Sequence, residues 1–225
     1  MTKYTVYGGS DGFGAQYQAR LSGIAFCNYK NYQYVHTPFQ SLSHGENADE
    51  LNNFVGIPQS KYVKPDIWSK GERNIHYSEK PSLYYTTEVL EKIRGYYYST
   101  EKPTIDIPDI AIHIRRGDVK KTCNQRYTSN NEYIDIINKL KQLYPDYKIT
   151  IFSEGIEDDF KELQDLDINF QLNVNIKETF HSMVQAKVLV LAKSSFSYCA
   201  GLLNENIVHY PIKFWHRKLD HWKTL

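Results

Sequence analysis

Between residues 110 and 210 the chain alternates short apolar runs with longer stretches of helical period, and few folds accept that pattern. Ile110–Ile114, Lys148–Phe152, Ile168–Leu172, Val188–Leu191 and Ile207–Tyr210 have strand length. Between the first two, the capping-box pattern Ser129-Asn130-Asn131-Glu132 precedes Tyr133, Ile136, Ile137, Leu140 and Leu143 at helical spacing, and Pro145 stops the run. Asp158–Leu163 reads as a short helix. Ile176, Phe180, Met183 and Val184 mark one helical face, and Phe196–Leu203 forms a further helix after Ser194-Ser195. Repeated βα units require parallel strands joined by right-handed crossovers. The predicted class is therefore α/β, doubly wound.

The first half carries the same signals more faintly. Tyr4–Tyr7 reads as a strand, followed by the glycine-rich run Gly8 to Gly14 and then Tyr17, Leu21, Ile24 and Ala25 at helical spacing. Strand, glycine turn and helix together present backbone N–H groups and a positive dipole end to an anion. Tyr32–His36 predicts a second strand, Asn47–Phe54 a short helix, and Val89, Leu90, Ile93 and Tyr97 another helix. Residues 56–81, with Pro58, Pro65 and Pro81, read as loop. Pro103 and Pro108 place the junction between halves near residue 105, giving domains 1–105 and 106–225.

The strand Ile110–Ile114 opens into Arg115-Arg116-Gly117-Asp118. Period-two alternation sets His113 and Arg115 on one side, at the carboxyl end where open α/β sheets bind ligands. A histidine and an arginine converging there form an anion site, for phosphate. Read alone, the four residues are also an ordinary exposed loop with a surface ion pair.

His113-Ile114-Arg115-Arg116-Gly117-Asp118 resembles the His-x-Arg-Arg-Gly-Asp motif of the fucosyltransferase superfamily that includes α-1,2-, α-1,6- and protein O-fucosyltransferases. Gly12-Phe13-Gly14-Ala15-Gln16-Tyr17 is similar to that group's N-terminal Gly-x-Gly-Asn-Gln segment, with Ala15 in place of Asn. Ala192-Lys193-Ser194-Ser195-Phe196-Ser197 is similar to its Ser-Ser-Phe-Ser turn. The resemblance implies two Rossmann-like halves facing a cleft, the GT-B arrangement, in a compact version. The acceptor would lie on the first half and the donor on the second. It further implies an inverting, metal-independent glycosyltransferase moving L-fucose from GDP-fucose to a glycan hydroxyl, with no other cofactor. A relative using another donor such as UDP-xylose, or a non-catalytic nucleotide- or glycan-binding module, are the alternatives.

By match to the motifs, Arg115 contacts the β-phosphate, His113 holds the donor and orients the arginine, and Gly12, Phe13, Gly14, Ser194, Ser195 and Phe196 bind the donor. Ser153 and Glu154, just past a strand, would meet the base or ribose. Arg116 and Asp118 are expected to pair with each other or brace the loop. Asp11 matches by position an acidic residue that serves as base in one protein O-fucosyltransferase type; by residue type alone it is equally a turn former. Lys120, Lys121 and Arg126 read as a solvated loop face. A rival metal site at Asp165-Leu166-Asp167 stands beside no other motif.

Composition closes off other classes. A net charge of +1 argues against a nucleic-acid partner, and no apolar run approaches the roughly eighteen residues of a membrane span. Met1–Val6 carries no apolar signal region. Cys27, Cys123 and Cys199, scattered and odd in number, read as reduced thiols of a cytoplasmic chain. The 19 tyrosines by themselves imply no carbohydrate site.

Overall fold

A computed structural model describes residues 1–7, 9, 11–43, 45–60, 63–70, 79–119 and 125–225. Gly8 and Ser10 of the glycine run, Lys120 and Lys121, and Cys123 lie outside the described residues. The chain divides into two units, one of Met1–Lys102 with His216–Asp220, the other of Pro103–Trp215 with His221–Leu225. Among the described residues no helix is long and apolar enough to cross a membrane.

In the first unit three parallel strands, β1 (Lys3–Val6), β2 (Gln33–Tyr34) and β3 (Ile67–Ser69), lie in the order β2-β1-β3. Strand β3 falls inside the stretch expected to be loop, because a strand of 3 residues is too short to show a period. Helix α1 (Phe13–Lys30) covers the sheet. Tyr4 meets Phe26 with ring centroids 5.2 Å apart, and Gly23 lies tight against Val6 and Tyr34. Further aromatic packing gathers round the start of α1, where Phe13 is stacked on Tyr17 and meets Phe39 and Phe54. Helix α2 (Ala48–Val55) is capped by the Asn47 carboxamide oxygen, which accepts from Asp49 N and Glu50 N. Helix α3 (Thr87–Tyr98) buries Val89, Ile93 and Tyr97. The segment 216–220 joins this unit, with Asp220 N donating to Ser82 Oγ at 2.9 Å.

The second unit is a six-stranded, wholly parallel sheet: β4 (Ile110–Ile114), β5 (Ile149–Ser153), β6 (Asn169–Leu172), β7 (Val188–Val190), β8 (Ile207–Tyr210) and β9 (Lys223–Thr224). Their order is β6-β5-β4-β7-β8-β9. The last strand has no forerunner in the sequence reading, being 2 residues long. Helices α4 (Asn130–Leu143), α5 (Ile176–Gln185) and α6 (Ser195–Leu203) supply the crossovers, and a 3-10 turn at Glu157–Leu163 takes the place of a short helix. The capping box at Ser129 and Glu132 forms in full. On one face of β4, Ile110, Ile112 and Ile114 pack with Tyr133, Ile137, Leu140, Ile149 and Ile151. The other face carries Ala111 and His113.

Chain direction over the sheet decides where a ligand goes. From β4 the chain moves by α4 to β5 on one side; from β7 it moves by α6 to β8 on the other. The gap between the carboxyl ends of β4 and β7 is therefore the topological switch point.

Gly23 brings α1 close against the sheet: an added Cβ would stand 2.6 Å from Val6 Cγ2 and 2.9 Å from Tyr34 Cε2. Gly23→Ala is expected to lower stability by about 1–3 kcal/mol despite the better helix propensity of alanine. Urea unfolding checks this; unchanged or raised stability would contradict the packing.

Candidate active site

The loops at the switch point bring together residues far apart in sequence. Ile112 pairs with Val190 across β4 and β7, so residues 113–118 and 191–196 leave the sheet side by side. The His113 and Phe196 rings lie 5.5 Å apart, and Phe196 in turn meets Phe180 of α5 at 5.3 Å. On the other side Ile114 pairs with Ser153, whose hydroxyl lies 2.7 Å from Ile114 O and 2.8 Å from Glu154 O. Holding one proton between two carbonyls, Ser153 ties β4 to β5. Glu154 is exposed and reaches back over the turn at Gly117.

Arg115 and Arg116 have opposite environments. Arg115 Nε donates to Asp118 Oδ1 at 3.1 Å and its Nη2 to Asp118 Oδ2 at 2.6 Å, a two-pronged grip with the arginine side chain 23% exposed. That grip uses one edge of the guanidinium and leaves Nη1 for other acceptors. Arg116 is buried: its Nη1 donates to Arg115 O, and its Nη2 to Thr128 O and to Asn130 Oδ1 at 2.7 Å. Its guanidinium also lies 4.5 Å from the Tyr127 ring centre. Of the two expectations for Arg116 and Asp118, pairing with each other or bracing the loop, Arg116 meets the second. Asp118 turns back across Gly117 to the first arginine, while the second is spent bracing the loop onto α4. Asn130 completes that brace, its amide donating to Asp159 O and Glu162 Oε2. In the sequence it reads only as a member of the capping box.

Ser194 is the N-cap of α6, its Oγ accepting from Phe196 N at 3.3 Å, and it is buried. Ser197, one turn in, accepts from Ala192 N. Ser195 opens the helix and is half-buried. Lys193, which the sequence reading quotes without a role, is buried beside these serines, with Nζ 3.5 Å from Tyr127 O.

Asp11, Gly12, Phe13 and Gly14 belong to the first unit. Gly12 is the N-cap of α1, and Phe13 and Gly14 already form its first turn. The Phe13 ring is 1% exposed, so its side chain serves the core and only its backbone faces a ligand role. Gln16 knits the turn from inside: its amide nitrogen lies 2.8 Å from Asp11 O, 2.7 Å from Ser41 O and 3.3 Å from Gly9 O. Asp11 itself is exposed. Asp165 and Asp167 are exposed in the turn before β6, and among the described residues no group of three or more His, Cys, Asp or Glu is placed to hold a metal ion.

The family model of Glycosyl transferase family 11 matches residues 48–215, more than half of the chain and inclusive of the whole switch-point site. The chain belongs to glycosyl transferase family 11. This family 11 protein is a glycosyltransferase of fucosyltransferase type. No curated protein matches its sequence. Among solved structures it is similar to POFUT1 in complex with GDP-fucose, at 12% identity over 91% of this chain and 94% of that one, with a TM-score of 0.48. It is also similar to the E. coli heptosyltransferase WaaC with ADP, at 12% identity over 86% and 58% of the two chains, with a TM-score of 0.41.

Gly117 allows the close approach of Glu154. Its φ is +65°, and an added Cβ would overlap Glu154 Oε2. Gly117→Ala is expected to displace both the turn and Glu154 and to lower stability by about 1 kcal/mol; an unchanged urea midpoint would contradict this geometry.

Burial, with the nearby Arg115 charge adding to it, pushes the His113 pKa from an ordinary 6.5 down to about 3; buried His36 and His209 fall to about 4. His113 is thus a neutral imidazole at physiological pH. Below pH 6.5 the unfolded chain takes up protons that these folded histidines refuse, so stability falls with falling pH down to about 3 and is unaffected above the window. The urea midpoint should drop between about pH 7 and pH 4, and less steeply in His113→Gln; an equally steep drop in that variant would contradict the assignment.

Proposed function

We propose that this family 11 enzyme transfers L-fucose from GDP-fucose, with inversion and without a metal ion, to a glycan hydroxyl. The observation that carries the reading is the Arg115 guanidinium, aligned by Asp118 yet partly exposed at the switch point of the nucleotide-binding type of sheet. In the reaction the acceptor oxygen attacks the anomeric carbon, the bond from that carbon to the diphosphate breaks, and the electron pair leaves on a β-phosphate oxygen. Arg115 stabilises that developing charge through its remaining donors, helped by backbone N–H groups at the start of α6, where Ser194 and Ser195 stand. A guanidinium and a helix N-terminus do the work a cation would otherwise do, which supports metal independence.

Neutral His113, packed on Phe196, holds the donor without adding a second full charge. Glu154 meets the base or ribose. Asp11 takes the acceptor proton, and Gly12, Phe13 and Gly14 offer backbone N–H groups to the donor. The second unit carries the nucleotide sugar and the first the acceptor. The scattered cysteines favour a reducing compartment, the cytoplasm.

Charge-assisted contact in a transition state is worth about 3 kcal/mol, or roughly 10²-fold in rate. Arg115→Ala should therefore slow transfer by roughly 10²-fold, and Arg115→Lys should recover little because a point charge cannot fork two oxygens. A panel of GDP-fucose, UDP-xylose and other nucleotide sugars, scored by thermal shift and by transfer with and without EDTA, tests the rest. Stabilisation by GDP-fucose and EDTA-insensitive transfer are expected. Full activity in Arg115→Ala, or a requirement for a divalent ion, would overturn the reading.

A further inference from the structure

Trp68 presents an indole 54% exposed on β3, an unusual use of the largest apolar side chain. It is paired in register with Thr5, and its ring meets Tyr7 edge-on, with centroids 5.7 Å apart at an interplanar angle of 74°. Tyr7 N donates to Ser69 O at 2.9 Å, so the two rings stand where β1 and β3 end together. This is the carboxyl edge of the first unit's parallel sheet, the edge at which such sheets receive ligands. In sequence Asp11 follows four residues after Tyr7, at most about 14 Å of extended chain.

Another strand is a poor occupant for this edge. Strand β3 has 3 residues and is flanked by Pro65 and Lys70, the features by which sheets blunt an edge against pairing. What remains is a flat aromatic face buttressed by the Tyr7 ring. A pyranose ring suits it. One face of the sugar is a patch of C–H groups that an indole removes from water, while the ring hydroxyls stay free to hydrogen-bond.

We propose that Trp68, held by Tyr7, is the platform on which a pyranose ring of the acceptor stacks. The assignment rests on the reading that the first unit carries a glycan acceptor, and it names the side chains that recognise it. Trp68 is here a binding residue and takes no proton.

Saturation-transfer NMR with cellobiose, lactose and chitobiose, and GDP thermal shift, are run on the wild type, Trp68→Ala, Trp68→Phe and Arg115→Ala. At least one disaccharide should bind the wild type. Trp68→Ala should weaken it about tenfold, the size of one lost stacking contact. Trp68→Phe should weaken it less, and both variants should keep the wild-type GDP shift. Arg115→Ala should do the reverse. Unchanged disaccharide binding in Trp68→Ala, or no binding of any of the three to the wild type, overturns the platform. Should Arg115→Ala keep its GDP shift, the donor assignment fails on its own, separately from the platform.

Discussion

The parallel pairing of β4 with β7 is the constraint on which the candidate site depends. Three register pairs, Ile110 with Val188, Ala111 with Leu189 and Ile112 with Val190, align two strands separated by the intervening β5 and β6 in chain order. Every residue in those pairs is buried, so the register is enforced by packing on both faces of the sheet. A one-residue slip would turn His113 to the face that holds Ile112 and Ile114, and Phe196 would lose its partner ring. The chemistry at the carboxyl ends follows from that register.

Two consecutive arginines illustrate how a strand end sorts side chains. Successive residues leave in opposite directions, so Arg115 comes out towards solvent and Arg116 goes in among Tyr127, Tyr133 and Phe160. The inner arginine is satisfied by two carbonyls and an amide oxygen, which offsets the cost of burying its charge. It fixes the loop that aims the outer one. Asp118 then narrows the rotamers open to Arg115, and a guanidinium already ordered loses less entropy on meeting a hydrogen-bond acceptor.

The first unit is built on aromatic packing and short strands. Among the described residues its sheet has three strands, none longer than 4 residues, so α1 supplies much of the structure. That helix starts at Phe13, directly after Gly12, and its first aromatic is consumed by the core. Gln16 holds the turn that precedes it by reaching three backbone carbonyls. The Phe13 ring is therefore spent on the core at this turn, while Asp11 is exposed.

Elements with enough residues to show a period were legible in the chain itself: the helices of both units, the strands β4, β5, β6 and β8 to within a residue or so, and the capping box at Ser129. So were the positions at which chemistry is concentrated, since arginine, glycine and serine at strand ends have local reasons to be there. Strands β3 and β9 were not legible, because 3 and 2 residues carry no periodicity and are held by pairing with distant partners. Nor could the sequence decide which arginine would be buried, that Asp118 would turn to Arg115, or that Trp68 would stand on Tyr7. Those choices depend on register and on loop closure between residues far apart in the chain. Local pattern thus determined the class of fold and the chemical inventory, and tertiary packing alone decided which of those groups face one another.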